Sequence, residues 1–308
     1  MKKTIIYLSI ALIPVFCACR KDDPAPDAEI GVIEGDSISA NNLYFTLSTY
    51  KENTTLTVVG MVDETFDEAV IPPAVLADGK TYSVTNIGNR AFDGCAGLTN
   101  VTIPPSITSI GYRAFADCKG LKYVILPESV VRIENEAFAH CSGLVDIHIP
   151  NSVTGIGSLA FFNCSRLTSI TLSNSMTRIG ALFVDCTGLT SVVIPESITS
   201  IGNEAFQNCN SLARITIPGS VTSIGERAFW DCWGIRSISI PPSVASIGKM
   251  AFAHTYLKMV EVFWEIPIPI DPGMFGFGSV NTLFVPPGTK HVYAQAENWN
   301  RFPFIVEK

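Results

Sequence analysis

From Ile87 onward the chain repeats one arrangement of apolar and polar positions. The unit runs Ile87-Gly88-Asn89-Arg90-Ala91-Phe92-Asp93-Gly94-Cys95-Ala96-Gly97-Leu98-Thr99-Asn100-Val101-Thr102-Ile103-Pro104. Isoleucines open it at positions 87, 110, 133, 156, 179, 201, 224 and 247, in steps of 23 residues with one step of 22. Phenylalanines keep the same beat at 92, 115, 138, 161, 183, 206, 229 and 252, and cysteines at 95, 118, 141, 164, 186, 209 and 232. Three columns holding one period specify a solenoid, because each unit is too thin to bury its own apolar edge.

Within a unit, Leu98-x-x-Val101-x-Ile103 predicts a short strand with its apolar residues pointing into the coil. Pro104 ends it, since proline has no N–H for a continuing ladder. Ile87-Gly88 closes a second extended piece, and Ala91-Phe92-x-x-Cys95 suits one tight helical turn that puts Phe and Cys on the same inner face. Stacked at ~4.8 Å, such coils align identical residues into ladders around one core.

Three departures stand out. One residue is missing between Gly180 and Phe183, on the convex turn, so the strand register is expected to survive. Ser173 stands where other coils have proline. Glu134 occupies a glycine column, so either that backbone needs no positive φ or Glu134 is strained. Before the repeats, Leu43 to Ser48 and Thr54 to Val59 alternate around Lys51-Glu52-Asn53 and predict a hairpin. Phe66-x-x-Ala69-x-Ile71-Pro72 reads as a degenerate first strand, joined to the coils through Asp78-Gly79, and His291 to Trp299 as a short closing helix.

A 23-residue period lies in the 20–29 range of leucine-rich repeats. The pattern Leu-x-x-Ile-x-Ile-Pro-x-Ser-Val-x-x-Ile-Gly-x-x-Ala-Phe-x-x-Cys resembles the BspA-like class of bacterial leucine-rich repeats over roughly residues 66–286. The tail Leu283-Phe284-Val285-Pro286-Pro287-Gly288-Thr289, with Tyr293, Trp299 and Phe302, resembles the carboxyl-terminal cap of that class. The resemblance implies a mainly β, right-handed leucine-rich-repeat coil stack of about eight 23-residue repeats, capped at both ends. It also implies a cell-surface protein that binds a host or bacterial macromolecule.

The amino terminus reads as an address. Lys2 and Lys3 precede an apolar run, Thr4 to Ala18, that is too short to span a bilayer and is interrupted by Pro14. Phe16-Cys17-Ala18-Cys19 resembles a bacterial lipoprotein signal box, which assigns the lipid to Cys19; ordinary cleavage near Ala18, leaving a secreted protein, is the alternative. Arg20-Lys21-Asp22-Asp23 resembles the signal that exports lipoproteins of Bacteroides-like bacteria to the outer cell face, and it serves equally as a polar tether with Pro24 and Pro26. The expected divisions are a signal peptide over 1–18, a tether over 19–40, an amino-terminal cap over 41–86, repeats over 87–262 and a carboxyl-terminal cap over 263–308.

Composition narrows the function. Charged residues make up 16% of the chain and hydrophobic ones 47%, which excludes a disordered solvating chain. The net charge of −7, or −9 without Lys2 and Lys3, disfavours nucleic acid and anionic membranes as partners, so membrane contact is expected only through the lipid anchor. The ladder cysteines point in parallel and have neither Cys-x-x-Cys spacing nor a histidine column, so they read as buried inert thiols rather than a metal or redox array. His140, His148, His254 and His291 are placed in different repeat columns, unable to converge as ligands. With no catalytic triad, carboxylate pair or phosphate loop, the sequence points to no enzyme, no cofactor and no metal.

What remains is a surface. The central outward row of the strands runs Val70, Thr102, Ile125, His148, Thr171, Val193, Thr216, Ser239, Glu261 and Phe284, with Tyr123, Arg214 and Arg236 placed on the adjacent row. β-branched residues also simply favour strands. Trp230 and Trp233, with Trp264 further along, either stack on sugars or shield an irregular last coil where Thr255 replaces cysteine. The reading is a surface-anchored, non-enzymatic, adhesin-like recognition protein for a protein or glycan on the outer membrane. Its alternatives are a structural envelope component and a polysaccharide-binding accessory of a surface enzyme system.

Overall fold

The computed structural model describes residues 29–30, 32–34, 37–50, 53–62, 67–276 and 280–308. It is mainly β, with about ten stacked turns. The signal segment, Cys19 and Phe66 lie outside the described residues.

Each coil contributes to two parallel ladders. On one face, strands such as Asp146–His148 and Ser169–Thr171 pair in register, Ile147 beside Ile170. On the other, two-residue strands such as Ser223–Ile224 and Ser246–Ile247 pair the opening isoleucines. Between the ladders, the prolines end the first strand and turn the chain, each carbonyl accepting the N–H three residues on, as from Val153 to Pro150 at 3.0 Å. Ser173 fits the proline column because its buried hydroxyl donates to the Val153 carbonyl at 2.6 Å and accepts the Ser175 N–H at 3.1 Å.

The convex side is not the expected helical turn. Ala91, Asp93 and Cys95 donate back to residues 88, 90 and 92, while Arg90, Phe92 and Gly94 donate sideways to the carbonyls of Tyr112, Ala114 and Ala116 in the next coil. Left-handed residues make this alternation possible: Arg90 to Met250 form one column at φ 52–58°, and Gly94 to His254 a second. The coil that lost a residue has no member of the first column between Leu159 and Glu204, yet Thr171 still bridges Val193, so the strand register survives.

Phenylalanines fill the interior as one column of near-parallel rings. Centroids are 5.0 Å apart between Phe92 and Phe115, and widest at 5.9 Å beside the shortened coil, between Phe161 and Phe183, and again at the end of the column, between Phe252 and Phe275. Each buried ring is worth several kcal/mol of apolar transfer, about 4–6 as an upper estimate.

The glycine column at residue 88 has its own reason. None of these glycines has positive φ. A Cβ on Gly157 would stand 2.2 Å from the Asn135 nitrogen, and one on Gly225 2.4 Å from that of Asn203, so backbone approach between coils sets the column except at Gly180, in the shortened coil, where nothing lies within 4 Å. Glu134 therefore needs no left-handed backbone; its carboxylate pairs with Arg132.

Both ends are covered. Leu43–Tyr50 pairs antiparallel with Asn53–Met61, which lies parallel to Lys80–Ile87 and extends the second ladder past its first coil. Asp78 and Gly79, at φ 48° and 72°, are the tight turn between antiparallel strands Ala74–Ala77 and Lys80–Ile87 rather than a linker. At the other end a helix, Lys290–Gln295, and a separate 3-10 turn, Trp299–Arg301, replace the single closing helix. Tyr293 and Trp299 plug the core there, donating to the carbonyls of Trp264 at 2.8 Å and Ile268 at 2.7 Å.

Candidate recognition surface

The strand-face row is set by the two-residue alternation of the strands: Val101, Val124, Ile147 and Ile170 point in, and their neighbours point out. Ile125 is 83% exposed, Val193 78% and Tyr123 61%; His148, Thr171, Arg214 and Thr216 are exposed as well. His148 pairs with Thr171 and Tyr123 with Asp146, so the two rows run side by side across the coils. The face is flat, β-branched and nearly without charge until Glu261. That carboxylate accepts from Lys308 and Ser239, each at 2.7 Å, and the Lys308 ammonium foremost holds it below the usual carboxylate range.

Near Thr216 and Ser239 the face dips into a recess of about 270 Å³, floored by strand residues and walled by Phe263 and Pro241. The recess is shallow and lined by hydroxyl and apolar groups. Nothing in it titrates.

Arg236 is not on the row of Tyr123 and Arg214. Ser237 takes that position, pairing with Met259, and Arg236 falls one residue earlier, where its carbonyl accepts the Lys258 N–H at 2.8 Å. The interval from Arg214 keeps the full 23 residues and ends on Ser237; a second short step, of 22 residues, comes only afterwards, from Ser237 to Met259.

The tryptophans separate. Trp264 is buried at 7% exposure and donates to the Val244 carbonyl at 3.0 Å as part of the end plug. Trp230 is half-buried with its centroid 5.2 Å from that of His254, and Trp233, 47% exposed, lies 6.4 Å from Tyr256. Tyr256, one 23-residue period after Trp233, and Lys258, 22 residues after Arg236 because of the short step, belong to this corner, and sequence reasoning missed both.

The thiols are held. Sγ of Cys118, Cys141, Cys164, Cys186, Cys209 and Cys232 each donates to the phenylalanine carbonyl one coil back, at 3.0–3.2 Å. Burial pushes Cys141 and Cys186 up to about 12 and raises the other four well above the ordinary thiol value. The reactive thiolate is thus suppressed at neutral pH. His140 and His254 share one column after all, five coils apart; each is taken by a neighbour in that column, Asn163 at 3.1 Å and Asp231 at 3.2 Å. Among the described residues, no three His, Cys, Asp or Glu side chains converge as a metal site, and no helix is long and apolar enough to cross a membrane.

Stacked parallel coils with inward Leu, Ile and Val at fixed spacing define a leucine-rich-repeat solenoid. The model of the BspA type leucine rich repeat region matches residues 80–182 and 180–296, and the chain belongs to that family. A leucine-rich repeat protein from Bacteroides ovatus ATCC 8483 is similar at 25% identity and a TM-score of 0.64, over 86% of this chain and 75% of that one. The T. pallidum leucine rich repeat protein shares 23% identity over 68% of this chain and 86% of its own, with a TM-score of 0.51. A leucine rich cell surface protein from Faecalibacterium prausnitzii A2-165 shares 22% over 92% and 96%, also at 0.51. No functionally curated protein matches the chain.

Proposed function

We propose that this chain is a non-enzymatic recognition protein, held at the bacterial outer membrane by a lipid on Cys19, that takes a macromolecular partner across its strand face. The observation that carries the reading is the row of exposed Tyr123, Ile125 and Val193 on a face of parallel-paired strands, with Tyr123 beside Asp146, Val193 bridged to Thr171 and Val192 beside Ile215. Large apolar side chains on a strand-supported row, with only Asp146 and Arg214 charged on the row beside it from Tyr123 to Arg214, lose little conformational entropy on binding, and they form the dry centre of an interface. A protein partner suits that face better than a charged polymer. The segment between Cys19 and the first strand, Glu29–Ile30, then serves as the tether between lipid and solenoid. Similarity to a cell-surface leucine-rich protein supports the address.

Three experiments test it. Protease shaving of intact cells releases the solenoid if it faces outward, and Cys19→Ala abolishes metabolic labelling with a radiolabelled fatty acid. Immobilised extracellular-matrix proteins, with a glycan array beside them, should yield a specific, saturable signal that Ile125→Arg with Val193→Arg removes while leaving thermal unfolding unchanged. Equal signals from wild type and double variant, or none together with normal attachment of a deletion strain, refute the reading.

A further inference from the structure

We infer that the corner between the convex turn and the strand face at Trp233 and Tyr256 is a separate binding site for a polysaccharide bearing carboxylates, as in uronic-acid polymers. This goes beyond the strand-face reading and does not depend on it.

Two rings stand there half exposed, Trp233 at 47% and Tyr256 at 50%, each already fixed in place. The Trp233 indole N–H donates to the Asp231 carboxylate at 3.3 Å, and the Arg236 guanidinium lies 4.9 Å from the Tyr256 centroid. Their planes meet at 50° with centroids 6.4 Å apart, so neither ring covers the other. Exposed rings that are already oriented offer apolar faces at little entropic cost.

Beside the ring column runs a column of cations. Lys258 N–H bonds to the Arg236 carbonyl, so the two residues stand on adjacent rungs. Among the described residues, neither side chain forms an ion pair, and neither does Arg214 on the coil before. Arg236 and Lys258 are thus two cations without an ion pair beside the rings, with Asp231 the acid at the same corner, whereas the whole protein is at −7.

The ligand's chemistry follows from that pairing. A pyranose presents a C–H face to an aromatic ring and hydroxyls at its edge. A uronic acid adds one carboxylate per sugar, which the planar guanidinium matches with two parallel hydrogen bonds. Asp231 beside Trp233 is an acceptor suited to sugar hydroxyls. The 50° tilt leaves no parallel slot for a nucleobase. Ring faces for pyranose C–H groups, with an acceptor for hydroxyls beside them, favour a saccharide over nucleic acid or an acidic peptide.

Calorimetric titration of the full chain with polygalacturonate and with alginate tests this. Methyl-esterified polygalacturonate, polyglutamate and oligothymidylate are the comparison arms. The expected result is saturable binding to one of the two uronates, at least tenfold weaker with the neutral ester and with the other two polymers. Trp233→Ala and Arg236→Gln should each weaken it tenfold or more with thermal unfolding unchanged, while Ile125→Arg leaves it intact. If Trp233→Ala does not fold, the exposed Arg236→Gln decides alone. Binding to neither uronate, unaltered binding in Arg236→Gln, or equal affinity for polyglutamate or oligothymidylate overturns the proposal. Loss in Ile125→Arg alone also overturns it, by moving the site to the strand face.

Discussion

The Cys118 thiol donates to the Phe92 carbonyl oxygen at 3.1 Å, and the same oxygen accepts the backbone N–H of Cys95, also at 3.1 Å. One carbonyl thus closes its own turn and ties in the next coil. The same use of a phenylalanine carbonyl recurs through Cys232.

Those thiols make stability fall in alkali. Burial raises their folded pKa, so the stabilisation they bring is complete below the unfolded value of about 8.5 and is lost as pH climbs toward the folded value of about 12 for Cys141 and Cys186. Each ionising thiol contributes up to ~1.4 kcal/mol per pH unit. The urea midpoint should therefore drop steeply between pH 9 and 11. Cys141→Ala with Cys186→Ala should start lower but decline less steeply; identical slopes contradict the assignment.

Glycines separate by what lies beside them. Gly157→Ala drives a Cβ to 2.2 Å from the Asn135 nitrogen and should cost about 2 kcal/mol or more. Gly219 has nothing within 4 Å and no positive φ, so Gly219→Ala should be neutral or stabilise by up to ~1 kcal/mol. Denaturant titration of the pair checks the contrast.

Arg113 spans three coils. Its guanidinium meets Asp93 and Glu136 at 3.0 Å and Asp117 at 3.2 Å, with the side chain 20% exposed. Arg113→Ala leaves three carboxylates facing one another and should destabilise by about 2–3 kcal/mol. Screening weakens that repulsion, so the difference from wild type should narrow between 0.05 and 1 M NaCl. A salt-independent loss would mean that packing, not charge, is what Arg113 supplies.

Phenylalanine truncation should depend on place. Phe138 stacks at 5.3 and 5.6 Å with planes within 6° of its neighbours, and Phe138→Ala should cost about 3–5 kcal/mol. Phe183, beside the shortened coil, meets its neighbours at 13° and 18° and should lose less when truncated. Equal losses would show that ring alignment carries none of the difference.

Much of this architecture is legible in the chain because each column repeats its chemistry: Ile, Phe and Cys recur where the interior demands one size and shape. The left-handed column from Arg90 through Leu159 to Met250 repeats a conformation without a residue type, so no turn-forming signal marks it, and the convex side reads wrongly as a helical turn. The glycine column is readable as glycine but not for its cause, since the close approach lies in the neighbouring coil. At the candidate surface, strand alternation places Ile125, His148 and Val193 correctly as outward. Lys258 is displaced by a 22-residue step that falls where the repeat's own markers have faded, Thr255 having replaced cysteine, while Arg236 sits one residue short of the row because the interval from Arg214 keeps the full 23 residues. Burial of Trp264 depends on Trp299 and Tyr293, which are distant in sequence and belong to no repeat.

The sideways bonds of the convex turns also have a direction. The N–H groups of Phe92, Phe115 and Phe138 all reach forward, to carbonyls of the coil that comes later in the chain. Each coil's convex turn is therefore completed by the layer that follows it, and an exposed last layer would leave those donors unmet. The final set is met where Phe252 donates to the Met274 carbonyl at 2.8 Å and Phe275 continues the ring column into the aromatic plug.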